Sequence, residues 1–583
     1  MKRAVFDIET DDIKATKVHC ISVQDVDSME LFHYPPDKLQ QGIDKLKEYD
    51  RLIGHNILNF DIPILKKILN ADISADILDT LVLSRLFNPT REGGHGLEAW
   101  GYRLGYRKID FDEYEKYTPT MGEYCNQDVR LNTRVYQHLK TQESRGFSKE
   151  SVILEHAVAA ILKKQEDHGF LLDVRKASIL VATLEAKLQT TEIEVRKEFK
   201  PKVEVTEILP TQRKDGSIGK TGFAHNTGVN VRLTDEEYTE ICKHGKVVRK
   251  LIIDFNLGSR KQIGEYLQEF GWKPTEYTAT GQPVVNEVVL DSIDNIPQAK
   301  LIAQYLTLQK RIAQINSWLD AADSEGRVHG YVNPNGAVTG RMTHNSPNMA
   351  QVPAVSAPYG KECRACWTVP VGFKLVGIDA SGLEGRMLAH HINNAGFTHD
   401  VTDGDIHSNN QKALNLESRN TAKAILYAFI YGAGDSKLGS MVGGDTKAGR
   451  RIRDTLLDSI PSLRSLVNRI QGQAKRGHLV GIDGRKIFVR SQHAALNSQL
   501  QGDGAIVMKQ ALIIFNQKLK KFNGKVNFVV NVHDEWQLES PEEFADEVGQ
   551  MGVDSIKEAG LHFNMNCPLD GEYKVGNNWS DTH

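Results

Sequence analysis

ESRNTAKAILYAFIYGAG, residues 417–434, sets Arg419, Lys423, Tyr427 and Tyr431 four positions apart and closes on Gly432. Steps of four advance about 400° around a helix, so these side chains share one slowly drifting face. That face carries two cations, then two aromatic rings, then a glycine. The cations suit a polyanion such as a triphosphate. The rings suit a base or a sugar, and the glycine leaves space for something planar where the face ends. A surface helix with a buried aromatic seam has the same pattern, so the surrounding sequence must decide.

Two flanking segments supply acidic chemistry. In LVGIDASGLEGRMLAHH (375–391) the apolar run Leu375–Ile378 reads as a buried strand that ends at Asp379, with the punctuating glycines Gly382 and Gly385 just beyond it. In VNFVVNVHDEWQLE (526–539) the apolar run reaches Val532 and breaks at His533, Asp534 and Glu535, the pattern of a β-hairpin with an acidic tip. Asp379 and Asp534 therefore both belong at strand ends. Two carboxylates from separate strands can hold a pair of Mg²⁺ ions about 3.5–4 Å apart. One ion lowers the pKa of an attacking hydroxyl and the other neutralises a leaving pyrophosphate. Mg²⁺ takes a few carboxylates plus substrate phosphate oxygens, so two aspartates suffice. Taken singly, each aspartate also reads as a solvated turn residue.

Together these segments resemble motifs A, B and C of family A DNA polymerases, and they are most similar to the T-seven-like phage replicative branch. VNPNGAVTGRMTHNSPNMAQVP (332–353), GDIHSNNQ (404–411), DGRKIFVRS (483–491) and ALNSQLQGDGA (495–505) resemble further segments of that branch. The resemblance runs the length of the chain and weakens only between about 200 and 252. It implies that Asp379 and Asp534 are metal ligands, with the carbonyl of Ala380 completing one shell. It implies that Arg419 and Lys423 grip the β and γ phosphates, that His407 reaches the same triphosphate, and that Lys423 protonates the leaving pyrophosphate. Glu384 would floor the sugar pocket and exclude a 2′-hydroxyl, and Tyr427 would abut the 3′ side of the sugar. Tyr431 would stack near the templating position, where Gly432 leaves room for the base. Asn497 and Gln501 resemble minor-groove and template contacts. Arg341 resembles a primer–template contact, and His533 a contact to the primer terminus.

The opening MKRAVFDIETDD reads as a strand, with Asp7 and Glu9 two apart and therefore on one face. GHNILNFDIPIL contributes Asp61, and EYCNQDVRLNTRVYQHL sets Tyr124 and Asp128 four apart on a helix. Four carboxylates are too many to bury unpaired. A divalent pair resolves that cost, and Tyr124 is placed to orient an attacking water. The constellation resembles the DEDDy 3′–5′ exonucleases that proofread in the same branch, with DTLVLSRL (79–86) and LEAWGYRLG (97–105) in agreement. The resemblance implies two Mg²⁺ ions at each centre, with Mn²⁺ able to substitute.

The expected fold class is multi-domain α/β: an RNase H-like DEDDy exonuclease domain followed by a right-hand polymerase domain. The expected boundaries are 1–145 for the exonuclease and 146–583 for the polymerase. Within the latter, the thumb is 146–325, the palm 326–404 and 478–583, and the fingers 405–477. The segment 200–252, with PTQRKDGSIGKTGF inside it, reads as loops with one short helix near 234–242. The T-seven-like thumb carries an insertion here that binds host thioredoxin. This segment is shorter than that insertion, which leaves a reduced docking site for thioredoxin or another processivity factor, a direct DNA contact, or a plain loop.

Composition constrains the rest. The chain's 583 residues suggest three or four domain-sized units, and its 40% apolar content is ordinary for a globular protein. No apolar run approaches the ~18 residues of a membrane span, and the charged N-terminus does not resemble a signal peptide. The six cysteines (20, 125, 242, 363, 366 and 567) are scattered in the manner of reduced thiols. The Cys363–Cys366 CxxC lacks a second pair to make a zinc site. A net charge of −3 does not by itself suggest nucleic acid. Local groups do so better: Lys197, Lys200, Lys202, Arg213, Lys214 and Lys220; Lys243, Lys246, Arg249 and Lys250; Arg450, Arg451 and Arg453. Each is also compatible with a solvated face.

The expected partners are primer–template DNA and deoxynucleoside triphosphates, with a phage helicase–primase a further candidate, all in the host cytoplasm and away from membranes. Three competing readings stand beside phage replication. A single-subunit RNA polymerase is opposed by Glu384 and the exonuclease segments. A non-catalytic scaffold is opposed by the full carboxylate set. A bacterial repair-type polymerase is opposed by the branch-specific segments.

Overall fold

The computed structural model describes residues 1–225 and 229–583; residues 226–228, inside the variable segment, lie outside the described set. Two compact units result. One comprises Met1–Val174 with Ala321–His583, and the other is Arg175–Asp320. The second unit is narrower at both ends than the 146–325 span expected of a thumb.

The N-terminal part of the first unit is built on a five-stranded sheet in the spatial order Leu31–Tyr34, Val18–Asp25, Arg3–Thr10, Arg51–Gly54, Asp76–Asp79. The first three strands are antiparallel, and the last two join Arg3–Thr10 in parallel. This is the mixed order of an RNase H-like sheet. The central strand RAVFDIET is buried along most of its length, with Asp7 and Glu9 interrupting its apolar residues. Helix Pro119–His138 lays Val129 and Tyr136 against Val5 and Ile53. Its start is set by Pro119 in the first turn and by Thr118, whose hydroxyl accepts from the Met121 N–H at 3.1 Å. Docking on that face carries Tyr124 and Asp128 toward Asp7 and Glu9.

The second part of this unit is an antiparallel sheet in the order Asn527–Val532, Glu535–Pro541, Phe373–Ala380, Gly571–Gly576. Helices Ala495–Leu519 and Ala545–His562 back it, with Ile378, Leu512, Phe515, Trp536, Leu538 and Ile556 in one core. Helix Lys149–His168 buries Leu154, Val158, Ile161 and Leu162 in that same core. The expected hairpin is present. Its two-residue turn is His533–Asp534, and His533 adopts the left-handed φ of 56° that such tight turns demand. Residues 405–477 are helical, including Ile406–Ala413, Arg419–Ile430, Thr446–Ser459 and Pro461–Ala474.

The Arg175–Asp320 unit packs Phe199, Phe255, Ile263, Leu267, Ile302 and Leu306 into its own core. The loop reading of 200–252 is corrected here. The short helix exists, as Asp235–His244, but most of the segment is an antiparallel sheet in the order Val247–Ile253, Lys202–Gln212, Ile218–Ala224, Val229–Arg232. Ile208, Ala224, Leu233 and Ile241 form its small core. Glycines and basic residues disguised it. Lys214 to Gly216 make the hairpin turn, closed by Arg213 N–H to Ser217 O at 2.8 Å. Several cations lie in ion pairs, Lys246–Glu207 at 2.5 Å and Lys220–Asp235 at 3.0 Å among them.

Candidate active sites

Asp379 lies one residue before the last position of the strand Phe373–Ala380, paired in register with Glu535 on one neighbouring strand and Glu572 on the other. The Ala380 N–H donates to the Asp534 carbonyl at 3.1 Å, which ties the hairpin tip to the strand end. The sequence-derived pair is thereby brought together. Asp379 keeps one face open to solvent. Burial of the rest of the site, then the charges of Asp534, Glu535, Glu572 and Glu384, push its pKa up to about 7. Burial and Glu384 push Asp534 up to about 6. Carboxylates crowded this way fit a hard divalent cation with oxygen ligands. Glu535 serves differently: Trp579 Nε1 donates to its carboxylate at 2.6 Å and Gln537 Nε2 at 2.7 Å, so it braces the sheet.

The stripe of the opening segment is realised as helix Arg419–Ile430, capped by the Ser418 hydroxyl and continued by Tyr431. Gly432 follows at φ 80°, where an added Cβ would meet the His493 carbonyl at 3.1 Å, so both conformation and space require glycine. Tyr427 and Tyr431 stack with centroids 6.3 Å apart, and His407 lies 6.0 Å from the Tyr427 ring. Glu384 accepts from Tyr431 Oη at 3.3 Å and Arg341 Nη2 at 3.1 Å, which joins three of the expected substrate-contacting residues. A cavity of about 200 Å³ opens among Ser381, Gly382, Arg386, His407 and Tyr427. His407 Nδ1 is buried without a hydrogen-bond partner among the described residues, and burial, Arg419 and Lys423 lower its pKa.

Arg419 does not stand free. Its Nε is 2.8 Å from Asp405 Oδ2, and Asp405 also caps the helix that carries His407. Sequence reading did not single out Asp405; an aspartate two residues before His407 in GDIH was the available signal. Asn497 and Gln501 lie four apart on helix Ala495–Leu519, with Asn497 Oδ1 buried and unpartnered among the described residues. Arg341 and His533 line one small pocket with Asp534 and Lys509. Lys509, also missed, is buried. It donates to Glu155 Oε1 at 2.6 Å and to the Gly340 carbonyl at 2.8 Å, so it anchors the loop that presents Arg341. No local signal could have joined Glu155, Gly340 and Lys509, which lie far apart in the chain.

The structure brings Asp7, Glu9, Asp61 and Asp128 to one place. Asp61 opens helix Asp61–Leu69, and its Oδ1 accepts from the Ile8 N–H at 3.2 Å between Asp7 and Glu9. Asp7, Glu9 and Cys125 offer ligand atoms within 4.8 Å of one another. Burial, then Asp61, Glu9 and Asp128, holds Asp7 well above the usual carboxylate range. Burial and Asp128 raise Glu9 to about 8, and burial raises Asp61 to about 7. Asp128 Oδ1 is buried without a partner among the described residues. An orphaned oxygen among four crowded carboxylates fits a divalent pair. Lys108, not singled out from sequence, sets its Nζ 2.5 Å from Asp128 Oδ2.

These shifts fix a pH dependence. The folded-state values lie above the ordinary carboxylate values of about 4, so ionising these groups costs stability. Their contribution falls as pH rises from about 4 toward the folded values near 7 and 8. A bound divalent cation displaces their protons. Mg²⁺ is therefore expected to raise the unfolding temperature more at pH 8 than at pH 6, read by thermal melts in EDTA and in MgCl₂. An equal shift at both pH values would contradict the assignment.

Strand-end carboxylates facing a cationic and aromatic helix, in a right-hand fold with a second acidic centre on an RNase H-like sheet, define a nucleic-acid polymerase class. A family model for DNA polymerase family A matches residues 230–581. The chain is 33% identical to the DNA-directed DNA polymerases of Enterobacteria phage T3 and Escherichia phage T7, over 99% of this chain and the whole of each relative. It is 28% identical to DNA polymerase I of Pseudomonas aeruginosa over 57% of this chain and 39% of that protein. Among solved structures, the POL domain of Pol1 from M. smegmatis, in complex with DNA primer-template and dNTP, superposes with a TM-score of 0.79. That match has 18% identity and covers 99% of this chain and 95% of that one. The chain belongs to DNA polymerase family A. Its activity is template-directed DNA synthesis, and it shares the metal dependence of that family. Among the described residues, no helix is long and apolar enough to cross a membrane.

Proposed function

We propose that this polymerase extends a primer 3′-OH at Asp379 and Asp534 and proofreads at Asp7, Glu9, Asp61 and Asp128, in replication of a phage genome inside a bacterial host. The observation that carries the reading is the Ala380–Asp534 backbone bond, which sets two carboxylates in register beside the Arg419–Gly432 stripe. Asp379, Asp534 and the Ala380 carbonyl would hold two Mg²⁺ ions, and the four N-terminal carboxylates would hold two more, with Mn²⁺ able to replace either pair. When bound, the ions supply charge neutralisation at phosphate and a more acidic hydroxyl. Arg419 leaves Asp405 for the triphosphate, Lys423 and His407 bind beside it, and Lys423 gives its proton to pyrophosphate. Arg341, Asn497, Gln501, Tyr431, Gly432 and His533 line the path of primer–template DNA, the ligand of the M. smegmatis relative. Tyr124 orients the water of the exonuclease. In this reading 1–145 is the exonuclease, 146–325 the thumb, 326–404 with 478–583 the palm, and 405–477 the fingers.

Two substitutions test the sugar pocket. The Tyr427 hydroxyl can stand in for a missing 3′-OH, so Tyr427→Phe is expected to reduce dideoxynucleotide incorporation. Equal termination by both enzymes on a sequencing template would sink the idea. Glu384→Ala removes the floor that Tyr431 and Arg341 hold in place. It is expected to increase ribonucleotide incorporation, and unchanged rejection would end the gate role.

For 200–252 we favour a docking platform for thioredoxin or another processivity factor. Cross-strand partners share a face. Val203 pairs with Ile252, Glu207 with Val248 and Leu209 with Phe223, and Val203, Val205, Val248 and Ile252 are exposed. That face also carries Lys250, opposite Val205, and Glu207, so it is mixed, and its four exposed aliphatic side chains favour a protein over a phosphate backbone. A helicase–primase is a second candidate partner of the chain. The test is extension on a long primed single-stranded template with Mg²⁺ and excess trap DNA, with and without thioredoxin. Longer products with thioredoxin support docking, and equal lengths point to a different clamp or to DNA. No extension in either lane overturns the assignment of the polymerase site.

A further inference from the structure

Segment 106–118 joins helix Leu97–Leu104 to helix Pro119–His138 without regular structure. Long irregular connections inside a compact domain usually carry function. This one is pinned at three points. Gln127 Nε2 donates to the Arg107 carbonyl at 2.5 Å, His19 Nε2 lies 2.9 Å from the Tyr114 carbonyl, and Tyr117 Oη lies 3.0 Å from His33 Nε2. Between the pins, two side chains reach the exonuclease centre. The Phe111 ring stacks on Tyr124 at 5.2 Å and 26°. Lys108 Nζ lies 4.7 Å from the Tyr124 ring centroid and 2.5 Å from Asp128 Oδ2. Lys108 thus stands beside the tyrosine assigned to the attacking water and on one of the four carboxylates of the centre.

Charge gives that position a use. Four ionised carboxylates balance two divalent cations and leave nothing over. A phosphodiester brings one further negative charge, and attack by water at phosphorus develops a second. Lys108 is the cation whose charge acts on Asp7, Glu9 and Asp128 alike. A further positive group aimed at developing charge accelerates such steps.

We propose that Lys108 is a phosphate-binding residue of the exonuclease, paired with Asp128 in the resting site and passed to a non-bridging oxygen of the scissile phosphodiester when the substrate enters. The inference rests on the exonuclease reading above. In the step it serves, the water oxygen bonds to phosphorus and the P–O3′ bond breaks. The water proton ends on the 3′-oxygen, a 5′-mononucleotide leaves, and Lys108 keeps its proton throughout. Segment 106–118 is then a part of the site that the four-carboxylate motif does not include.

The test uses the full chain with Lys108→Met and Lys108→Arg, with thermal melting to establish that each variant folds. Degradation of a single-stranded oligonucleotide in Mg²⁺ is expected to slow by about 10²-fold in Lys108→Met and to recover largely in Lys108→Arg. A second readout is independent of turnover. Binding of a fluorescent oligonucleotide is measured in Ca²⁺, once with an ordinary 3′-terminal phosphodiester and once with a neutral methylphosphonate at that linkage. Lys108→Met is expected to weaken binding of the charged oligonucleotide by about tenfold and to leave the neutral one unchanged. Wild-type degradation rates in Lys108→Met, or equal weakening for both oligonucleotides, would leave Lys108 as a structural ion pair and overturn the proposal. Failure of the wild-type chain itself to degrade DNA in Mg²⁺ or Mn²⁺ would instead overturn the exonuclease reading.

Discussion

Asp534→Asn is expected to abolish primer extension, by on the order of 10³-fold or more, while degradation of single-stranded DNA continues. The substitution keeps the shape of the hairpin tip, because the link to the neighbouring strand runs through the Asp534 carbonyl and not its side chain. It removes one of the two charges that the site presents to a cation, and Asp379 alone cannot replace it. Relief of crowding gives a second signature. The Asp534 charge helps to push the Asp379 pKa up to about 7, so that value is expected to fall in the variant. Single-nucleotide incorporation on a primed template, measured beside exonuclease release of labelled nucleotide, separates the two activities. Extension within tenfold of the wild-type rate would remove Asp534 from the catalytic set.

The double change Asp7→Ala with Glu9→Ala is expected to do the reverse. Exonuclease activity falls by about 10³-fold or more and primer extension persists, since the two centres lie on different sheets. The stability of the metal-free chain changes with a defined sign. Asp7 and Glu9 hold their protons above the usual carboxylate range because burial, and the charges of Asp61 and Asp128, penalise their ionised forms. Removing both lifts that penalty at pH 8, so the variant is expected to melt higher than wild type in EDTA. It is also expected to lose part of the stabilisation that Mg²⁺ confers. A variant that melts lower than wild type at pH 8 and still degrades DNA would contradict the assignment on both counts.

Much of this was legible in the chain because the informative patterns are local. Strand alternation puts Asp7 and Glu9 on one face, helical spacing does so for Tyr124 with Asp128 and for Arg419 through Tyr431, and an apolar run broken by His-Asp-Glu specifies a hairpin. Each is a short-range consequence of backbone geometry, and each appears in the structure as read. The variable segment was misread for a local reason as well. Its strands carry many charges and its turns many glycines, so the period-two pattern of Ile208 and its neighbours is masked, and several of those charges find ion-pair partners only once the segment folds.

What the sequence by itself determined, then, is which residues could do chemistry and on which face of a helix or strand each stands. Only the tertiary structure decided which of them meet. Asp405 holding Arg419, Glu384 joining Arg341 to Tyr431, Lys509 reaching from Glu155 to Gly340, and Lys108 resting on Asp128 all join separate parts of the chain. Backbone periodicity reaches only a few residues along the chain. Ion pairs and hydrogen bonds between distant segments form only when packing of the apolar cores brings those segments together, so no spacing rule records them.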